Sequence, residues 1–344
     1  MFVKRQAYKW PAAQLLAILF LLALLSACKE KPPEVKSHQG ITMGTTYTVK
    51  WIPIHNQPAI NPAVFNQALL EVNQAMSTYI DDSELSLINK LPAGSSVELS
   101  NDLAFLLSKS IDISALSSGA FDVTVGPLVN LWGFGPDGRI IMAPSQLEIQ
   151  QVQQEIGYNY LELNGKMLTK EKASYIDLSA IAKGYGVDVL ATLLEEQGVE
   201  SYLVEIGGEL RAKGLKPDGS EWKIAIESPA AGFDRSVQRI IAVKDVGIAT
   251  SGDYRNYFEE NGVRFSHTID PSTGSPITHR LASVTVLMPS CAEADAYATA
   301  MMVMGEERAQ AFALENGIEA FFIIKAENGF VEKMTPGFKQ YLVQ

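Results

Sequence analysis

The stretch SYIDLSAIAKGYGVDVLATLLEEQGVESYLVEI, residues 174–206, predicts a strand, a helix and a second strand in succession. Ser174–Leu178 and Ser201–Ile206 are short apolar or alternating runs of the length that strands have. Between them, Ser179–Gln197 carries the apolar spacing of a helix and begins with serine, a common capping residue. Other strand-like and helix-like stretches fill the chain without alternating strictly. The sequence therefore predicts an α+β fold whose mixed sheets include antiparallel pairs packed against helices, rather than a doubly wound parallel sheet.

Composition excludes several broad classes of protein. Of the 344 residues, 47% are hydrophobic and 19% are charged, which supplies a large core and excludes a disordered chain. The 39 acidic residues outnumber the 28 basic ones and give a net charge of −11, which disfavours a nucleic acid as partner. No internal repeat recurs and no linker-like composition occurs after residue 40, so we expect one compact domain over residues 41–344.

The N-terminus has the pattern of a bacterial lipoprotein signal. Basic residues precede an unbroken apolar run, Leu15–Leu25, which is shorter than the about 20 residues that cross a bilayer but typical of a signal peptide. The run ends in LSAC, and this ending resembles a lipobox in which Cys28 becomes the lipidated first residue of the mature chain. We therefore predict a signal peptide over residues 1–27 and a lipidated tether over residues 28–40. An ordinary cleaved signal or a short anchor is the alternative.

The segment CAEADAYATAMMVMG, Cys291–Gly305, predicts a helix with a metal-binding face. Asp295 and Thr299 are four residues apart, so a helix places the carboxylate and the hydroxyl on one side. Such a pair suits Mg²⁺, which takes few protein oxygens and keeps positions for water and phosphate. The alternative is an acidic residue that merely stabilises the start of the helix.

The segment DLSAIAKGYGVD, Asp177–Asp188, predicts a close approach to the start of its helix. Gly184 and Gly186 each cost about 1 kcal/mol relative to alanine inside a helix, so a ligand or another segment is expected beside them. Lys183 stands near the helix N-terminus, where an anionic phosphate is favoured. The alternative is close packing of the helix on a sheet, with Lys183 in solvent.

Further glycine-rich stretches combine threonine, aspartate and aromatic residues, which suits a flat ligand with polar edges. They are TMGTTY (Thr42–Tyr47), GAFDVTVGPLVNLWGFG (Gly119–Gly135), EIGGEL (Glu205–Leu210), SGDYRNYF (Ser251–Phe258) and HTIDPSTGSPI (His267–Ile277). Each also has an ordinary structural interpretation, such as a β-turn at DPSTG. His267 is the histidine that falls within such a motif, so it is a candidate for chemistry.

Taken in order, these motifs resemble those of the FAD:protein FMN transferases, the ApbE-type flavin transferases of bacterial periplasms. The resemblance extends from Thr42 to about Gly317. It implies a single compact domain that cleaves FAD with the help of Mg²⁺, joins FMN through a phosphoester bond to a threonine or serine of an acceptor protein, and releases AMP.

The resemblance also implies roles for individual residues. Asp295, Thr299 and the backbone carbonyl of Ala180 match the Mg²⁺ ligands of the family. His267 is the candidate general base, with Asp270 in reserve. The positions that match FAD contacts, some of them through backbone atoms, are Met43, Tyr79, Ala120, Phe121, Asp122, Asp177, Lys183 and Ile269.

The expected acceptor is a membrane redox protein with a periplasmic threonine, such as a subunit of a sodium-pumping quinone reductase or a related electron-transport complex. The family favours the periplasmic side of the inner membrane, with the outer membrane as an alternative. Two other functions stay open on the sequence. One is an FAD diphosphatase that releases FMN and AMP, and the other is a lipid-anchored flavin-binding protein without chemistry.

Overall fold

The computed structural model describes residues 33–55, 58–136, 138, 142–229, 236–254, 257–260 and 263–343. The predicted signal peptide and the predicted lipidation site, Cys28, lie outside the described residues. Within this described part of the chain, no helix is both long and apolar enough to cross a membrane.

The described residues form strands and helices in a mixed order. The strands are β1 Lys36–Thr42, β2 Thr45–Trp51, β3 Ser96–Glu98, β4 Leu161–Asn164, β5 Met167–Lys170, β6 Tyr202–Ile206, β7 Glu209–Lys213, β8 Trp222–Glu227, β9 Val237–Val243, β10 Val246–Gly252, β11 Tyr257–Glu260, β12 Val263–Ser266, β13 Ile269–Asp270, β14 Ser275–Pro276, β15 Leu281–Met288, β16 Glu319–Ala326 and β17 Gly329–Met334. The α-helices are α1 Ala63–Met76, α2 Glu84–Asn89, α3 Asn101–Leu116, α4 Gly126–Leu131, α5 Gln146–Gln153, α6 Ala182–Glu196, α7 Cys291–Met304 and α8 Glu306–Glu315.

The main sheet has eight strands in the order β1-β2-β6-β7-β10-β15-β16-β17. Every neighbouring pair in it is antiparallel. In the middle of the sheet, β15 is buried on both faces from Leu281 to Leu287, which explains why its sequence is mostly apolar. At one edge, β1 begins at Lys36, which lies inside the range 28–40 that the sequence assigns to the tether.

Helices cover one face of the main sheet. Met301 of α7 packs with Ala249 and Val284 of the central strands, and Leu190 of α6 packs with Val204 nearer the β1 edge. The β8–β9 hairpin covers the other face of the sheet through a separate hydrophobic cluster. Burial on both faces explains why the chain needs so many apolar residues.

The segment Ser174–Leu178 is not a strand, which corrects the prediction made from its apolar pattern. It runs as an irregular segment in which Ile176 and Leu178 are buried in the core. The side chain of Asn89 bonds both the N–H and the carbonyl of Ile176, with distances of 2.8 Å. A side-chain amide therefore satisfies backbone groups that a strand would pair in a ladder.

The predicted α+β class with antiparallel pairs and helices is confirmed. The helix expected from Ser179 begins instead at Ala182, because the N–H and hydroxyl of Ser179 both donate to Asp177 Oδ1, at 2.9 and 2.6 Å. This local turn holds Ser179 outside the helix.

Candidate functional site

The candidate metal ligand Asp295 lies where the start of α6 packs against α7. Asp295 lies in α7 and is only 3% exposed. Its Oδ2 accepts a hydrogen bond of 3.2 Å from the backbone N–H of Gly184 in α6. Gly184 is the third residue of α6, so its N–H is one of the helix-start donors that have no partner inside the helix. The side chain of Asp295 satisfies this donor. Ala180, whose carbonyl is another predicted metal ligand, belongs to the turn that precedes the helix.

Lys183 links Asp295 to a second buried carboxylate. Its Nζ lies 3.6 Å from Asp295 Oδ2 and 3.4 Å from Oε1 of Glu209, at the start of β7. Glu209 is 5% exposed, and its Oε2 is buried with no hydrogen-bond partner among the described residues. The sequence pattern predicted a role for Lys183. It also pointed to the motif EIGGEL, but not to Glu209 within that motif. The contact between them depends on β7 passing the start of α6, which no local pattern reveals.

Burial and charge act against each other in this cluster. Burial raises the pKa of Asp295, while the neighbouring Lys183 ammonium lowers it. Burial likewise raises the pKa of Glu209, to about 8. Although burial by itself lowers the pKa of Lys183, the carboxylates of Asp295 and Glu209 outweigh it and hold that pKa above its ordinary value. Lys183 is therefore a fixed positive charge, at the place where the sequence predicted contact with a phosphate.

The predicted ligand Thr299 faces the sheet. One turn after Asp295, its Oγ1 lies 3.0 Å from Oγ of Ser251 in β10. Ser251 belongs to the motif SGDYRNYF, but sequence analysis assigned it no role. An aspartate carboxylate, a threonine hydroxyl and a backbone carbonyl are hard oxygen donors, the kind that Mg²⁺ prefers. No group of three or more histidine, cysteine or acidic side chains with metal-site geometry occurs in the described chain.

Close helix packing holds this region together. A Cβ placed on Gly184 would lie 2.4 Å from the carbonyl oxygen of Cys291, at the start of α7. The carboxylate of Asp188 in α6 accepts from the N–H groups of Cys291 and Ala292, at 3.1 and 3.0 Å, and pairs with Arg211 at 2.9 Å. The segment expected beside Gly184 is thus another helix of the same chain, rather than a sheet.

Tyr79 lines an open groove of about 740 Å³. Tyr79 is 67% exposed, and desolvation together with the nearby carboxylate of Asp177 raises its pKa. The structure therefore brings together two of the predicted FAD contacts, Tyr79 and Asp177. The groove is also lined by Pro127, Asn130, Leu131, Val152 and Tyr175. Its size is in the range of small-molecule sites, about 300–1,000 Å³.

Three predicted contacts, Ala120, Phe121 and Asp122, lie in a buried turn after α3. Phe121 is 2% exposed and belongs to the core, and its N–H donates to the hydroxyl of Ser117 at 3.1 Å. Asp122 accepts from the N–H and hydroxyl of Thr124 and from the N–H of Tyr158. Burial raises the pKa of Asp122, and these hydrogen bonds oppose that rise. The turn is thereby fixed against the rest of the fold.

Met43 occupies a strained turn between β1 and β2. Met43 and Gly44 have φ values of +48° and +70°, which fits a two-residue hairpin loop. A methionine with positive φ is uncommon, and such strain often marks a functional position. The terminal methyl of Met43 approaches Gly186 of α6, where a Cβ would lie 3.1 Å from it. The hairpin tip therefore packs beside the start of α6.

His267, Ile269 and Asp270 lie on the segment that enters the β13–β14 hairpin. The ring of His267 packs edge-on against Phe134, with ring centroids 6.3 Å apart. Ile269 is buried with Trp132 in a small hydrophobic cluster. Asp270 Oδ1 accepts from the N–H and hydroxyl of Ser272, at 2.8 and 2.7 Å. The geometry gives Asp270 a clear role in holding the turn, so His267 is the better candidate for a chemical role.

Residues 43–322 match the model of the ApbE family. The chain is 49% identical over 333 residues to the FAD:protein FMN transferase of Vibrio cholerae, covering 95% of this chain and 98% of that protein. It is 43% identical over 335 residues to the FAD:protein FMN transferase of Haemophilus influenzae, covering 94% of this chain and 96% of that protein.

Solved structures agree with these sequence matches. The flavin transferase ApbE from Vibrio cholerae superposes with a TM-score of 0.85 at 46% identity, covering 90% of this chain and 100% of that one. The apo form of the Pseudomonas stutzeri flavinyl transferase ApbE gives a TM-score of 0.81 at 42% identity, covering 90% of this chain and 97% of that one. The similarity therefore includes both the sequence and the fold.

Proposed function

Because this chain belongs to the ApbE family, we propose that it is an FAD:protein FMN transferase. It cleaves the pyrophosphate of FAD, attaches FMN through a phosphoester bond to a threonine or serine of an acceptor protein, and releases AMP. The observation that carries this proposal is the buried cluster of Asp295, Lys183 and the Gly184 N–H, where a carboxylate, a fixed cation and a helix start converge. These groups suit a divalent cation and an anionic diphosphate together.

Mg²⁺ fits the oxygen donors at this place. We propose that Asp295, Thr299 and the carbonyl of Ala180 hold it. The fit rests on the chemistry of these oxygen donors and on the placement of Asp295, a buried carboxylate that the Gly184 N–H holds at the start of α6. Bound Mg²⁺ would supply Lewis-acid stabilisation of charge on the diphosphate.

The chain's own residues bind FAD and move the proton of the acceptor hydroxyl. Lys183 holds a phosphate oxygen of FAD, and the groove around Tyr79 and Asp177 holds the rest of the molecule. His267 accepts the proton of the acceptor hydroxyl as that oxygen forms a bond to the phosphorus of the FMN half. The bond from that phosphorus to the bridging oxygen breaks, and the bridging oxygen leaves with AMP. A histidine side chain is the group that most often carries out such a proton transfer in enzymes.

We also propose that the protein is exported and anchored by lipid at Cys28, on the periplasmic side of a bacterial membrane. The signal-like run Leu15–Leu25 and the ending LSAC support this proposal. A membrane redox protein with a periplasmic threonine is the matching acceptor class. Incorporation of labelled palmitate into the wild-type protein, and its loss in Cys28→Ser, is the expected result. Labelling that persists in Cys28→Ser would contradict the anchor.

Mass spectrometry tests the proposed reaction directly. A threonine-containing acceptor domain is incubated with the protein, FAD and Mg²⁺, and we expect one threonine to gain the mass of an FMN phosphoester while AMP accumulates. Asp295→Asn removes the negative ligand and should abolish the adduct. Glu293→Gln is the matched control, since Glu293 lies on the same helix but forms an outer ion pair with Lys109 at 3.0 Å and should retain transfer.

The outcomes separate the competing functions. Free FMN and AMP with several unmodified acceptors would favour the diphosphatase. Intact FAD that binds equally well with and without Mg²⁺ would favour a flavin-binding protein without chemistry. Normal transfer by Asp295→Asn would refute the metal assignment while leaving the transferase in place.

A further inference from the structure

Hydroxyl groups on the helices of this protein show two different bonding patterns. In α3, the hydroxyls of Ser110 and Ser114 donate back to carbonyls four residues earlier in the same helix, at 2.8 and 2.7 Å. This back-bonding is common for serine and threonine inside helices. In α7, the hydroxyl of Thr299 bonds instead across to Oγ of Ser251 in β10, at 3.0 Å. Either hydroxyl of this pair could be the donor, and the contact ties the Thr299 hydroxyl to the sheet rather than to its own helix.

The direction of the Thr299 hydroxyl matters for metal binding. A hydroxyl has one proton and two lone pairs, and it binds a cation through a lone pair. If its proton points at the cation, the two repel each other. When Thr299 donates its proton to Ser251, its lone pairs are left for the cation. Hydrogen bonds that orient metal ligands in this way commonly change metal affinity by 10–100-fold.

Ser251 is held firmly enough to serve this purpose. Its backbone lies in register with Val284 across the β10–β15 pair, in the middle of the main sheet. Its side chain is half-buried, near the end of β10 at Gly252. The next residue back along the strand, Thr250, makes a similar hydroxyl pair with Thr285 at 2.8 Å. Because successive side chains alternate across a strand, that pair lies on the other face of the sheet, away from α7.

We propose that Ser251 is a positioning residue for the divalent-cation site: it accepts the hydroxyl proton of Thr299 and so presents Thr299 Oγ1 to the cation. The inference rests on the proposed function, because it takes Thr299 as a ligand. Ser251 itself does not touch the cation. The sequence motif SGDYRNYF thus contributes to the metal site through a hydrogen bond from the sheet.

Direct binding of Mn²⁺, followed by electron paramagnetic resonance on the folded protein without FAD, tests the inference independently of activity. Mn²⁺ takes the same oxygen ligands as Mg²⁺ and is a suitable probe. We expect Ser251→Ala to weaken Mn²⁺ binding by about tenfold or more. Ser251→Thr retains the hydroxyl and should restore binding. Thr250→Val, which removes the hydroxyl pair on the other face, should leave binding unchanged.

A double substitution distinguishes positioning through Thr299 from a general disturbance of the sheet. If Ser251 acts through Thr299, then Ser251→Ala combined with Thr299→Val binds Mn²⁺ no more weakly than Thr299→Val alone. The inference would be overturned if the double variant bound Mn²⁺ more weakly than Thr299→Val by the full effect of Ser251→Ala. It would also be overturned if Ser251→Ala bound Mn²⁺ with wild-type affinity. Asp295→Asn identifies which proposal has failed. If it abolishes Mn²⁺ binding while Ser251→Ala does not weaken it, only the role of Ser251 falls. If neither variant changes binding, the metal assignment falls as well.

Discussion

Replacing Gly184 with alanine should separate the two helices that form the candidate metal site. The new Cβ would lie 2.4 Å from the Cys291 carbonyl oxygen and 2.7 Å from Cα of Ala292, whereas real Cβ contacts are essentially never shorter than 3.0 Å. The start of α7 would have to retreat by at least the difference, 3.0 − 2.4 = 0.6 Å. Both obstructing atoms are backbone, so no side-chain rotation can relieve the contact.

The expected cost follows from three effects. Alanine favours the helix by about 1 kcal/mol relative to glycine. Overpacking costs about 1–3 kcal/mol, and weakening the hydrogen bond from the Gly184 N–H to the Asp295 carboxylate costs about 1.5–3 kcal/mol. The net result is a loss of about 3 kcal/mol in the free energy of unfolding, or a fall of roughly 5 °C in the melting temperature. Mn²⁺ binding should weaken too, because Asp295 moves with α7.

Gly186→Ala is the matched control, on the same helix and with the same gain in helix propensity. Its Cβ would meet the ends of flexible side chains, Ile206 Cδ1 and Met43 Cε, each at 3.1 Å. These can move by a few tenths of an ångström, so the net change should lie within about 1 kcal/mol. Thermal and urea unfolding of both variants measure the difference. A Gly184→Ala protein as stable as the wild type, or less affected than Gly186→Ala, would refute the reasoning.

Three other predictions concern stability and flavin binding. Burial lowers the pKa of His279, so the unfolded chain takes up a proton at a higher pH than the folded chain does. The free energy of unfolding should therefore fall as the pH decreases below about 6.5. In thermal unfolding, His279→Gln should reduce this pH dependence, while the same change at the exposed His55 should not. Asp188→Ala should lower the free energy of unfolding by about 3 kcal/mol, because it leaves Arg211 and the N-terminus of α7 without their carboxylate; urea unfolding within about 1 kcal/mol of wild type would contradict this. Tyr79→Ala should weaken FAD binding measured by flavin fluorescence, whereas Tyr79→Phe, which keeps the ring, should not; equal losses would point to the hydroxyl instead.

Much of the candidate site could be predicted because its residues are close in sequence. Asp295 and Thr299 share a face of α7 through simple helical spacing, and Lys183 stands at the start of α6, where the pattern placed it. The prediction of a strand at Ser174–Leu178 was wrong for a physical reason. Its apolar residues are buried as a strand's would be, but the distant amide of Asn89 satisfies the backbone. An apolar sequence pattern indicates which residues are buried, but it cannot show which group forms the hydrogen bonds with their backbone.

By itself, the sequence determined the α+β class, the helical face of Asp295 and Thr299, and the presence of a close neighbour beside Gly184, because each depends on local spacing or on the missing side chain of glycine. Only the tertiary structure decided what that neighbour is, namely the start of α7. It also supplied Glu209 beside Lys183 and Ser251 beside Thr299. Those partners come from strands far away in sequence, and their contacts exist only once the main sheet has fixed its strand order.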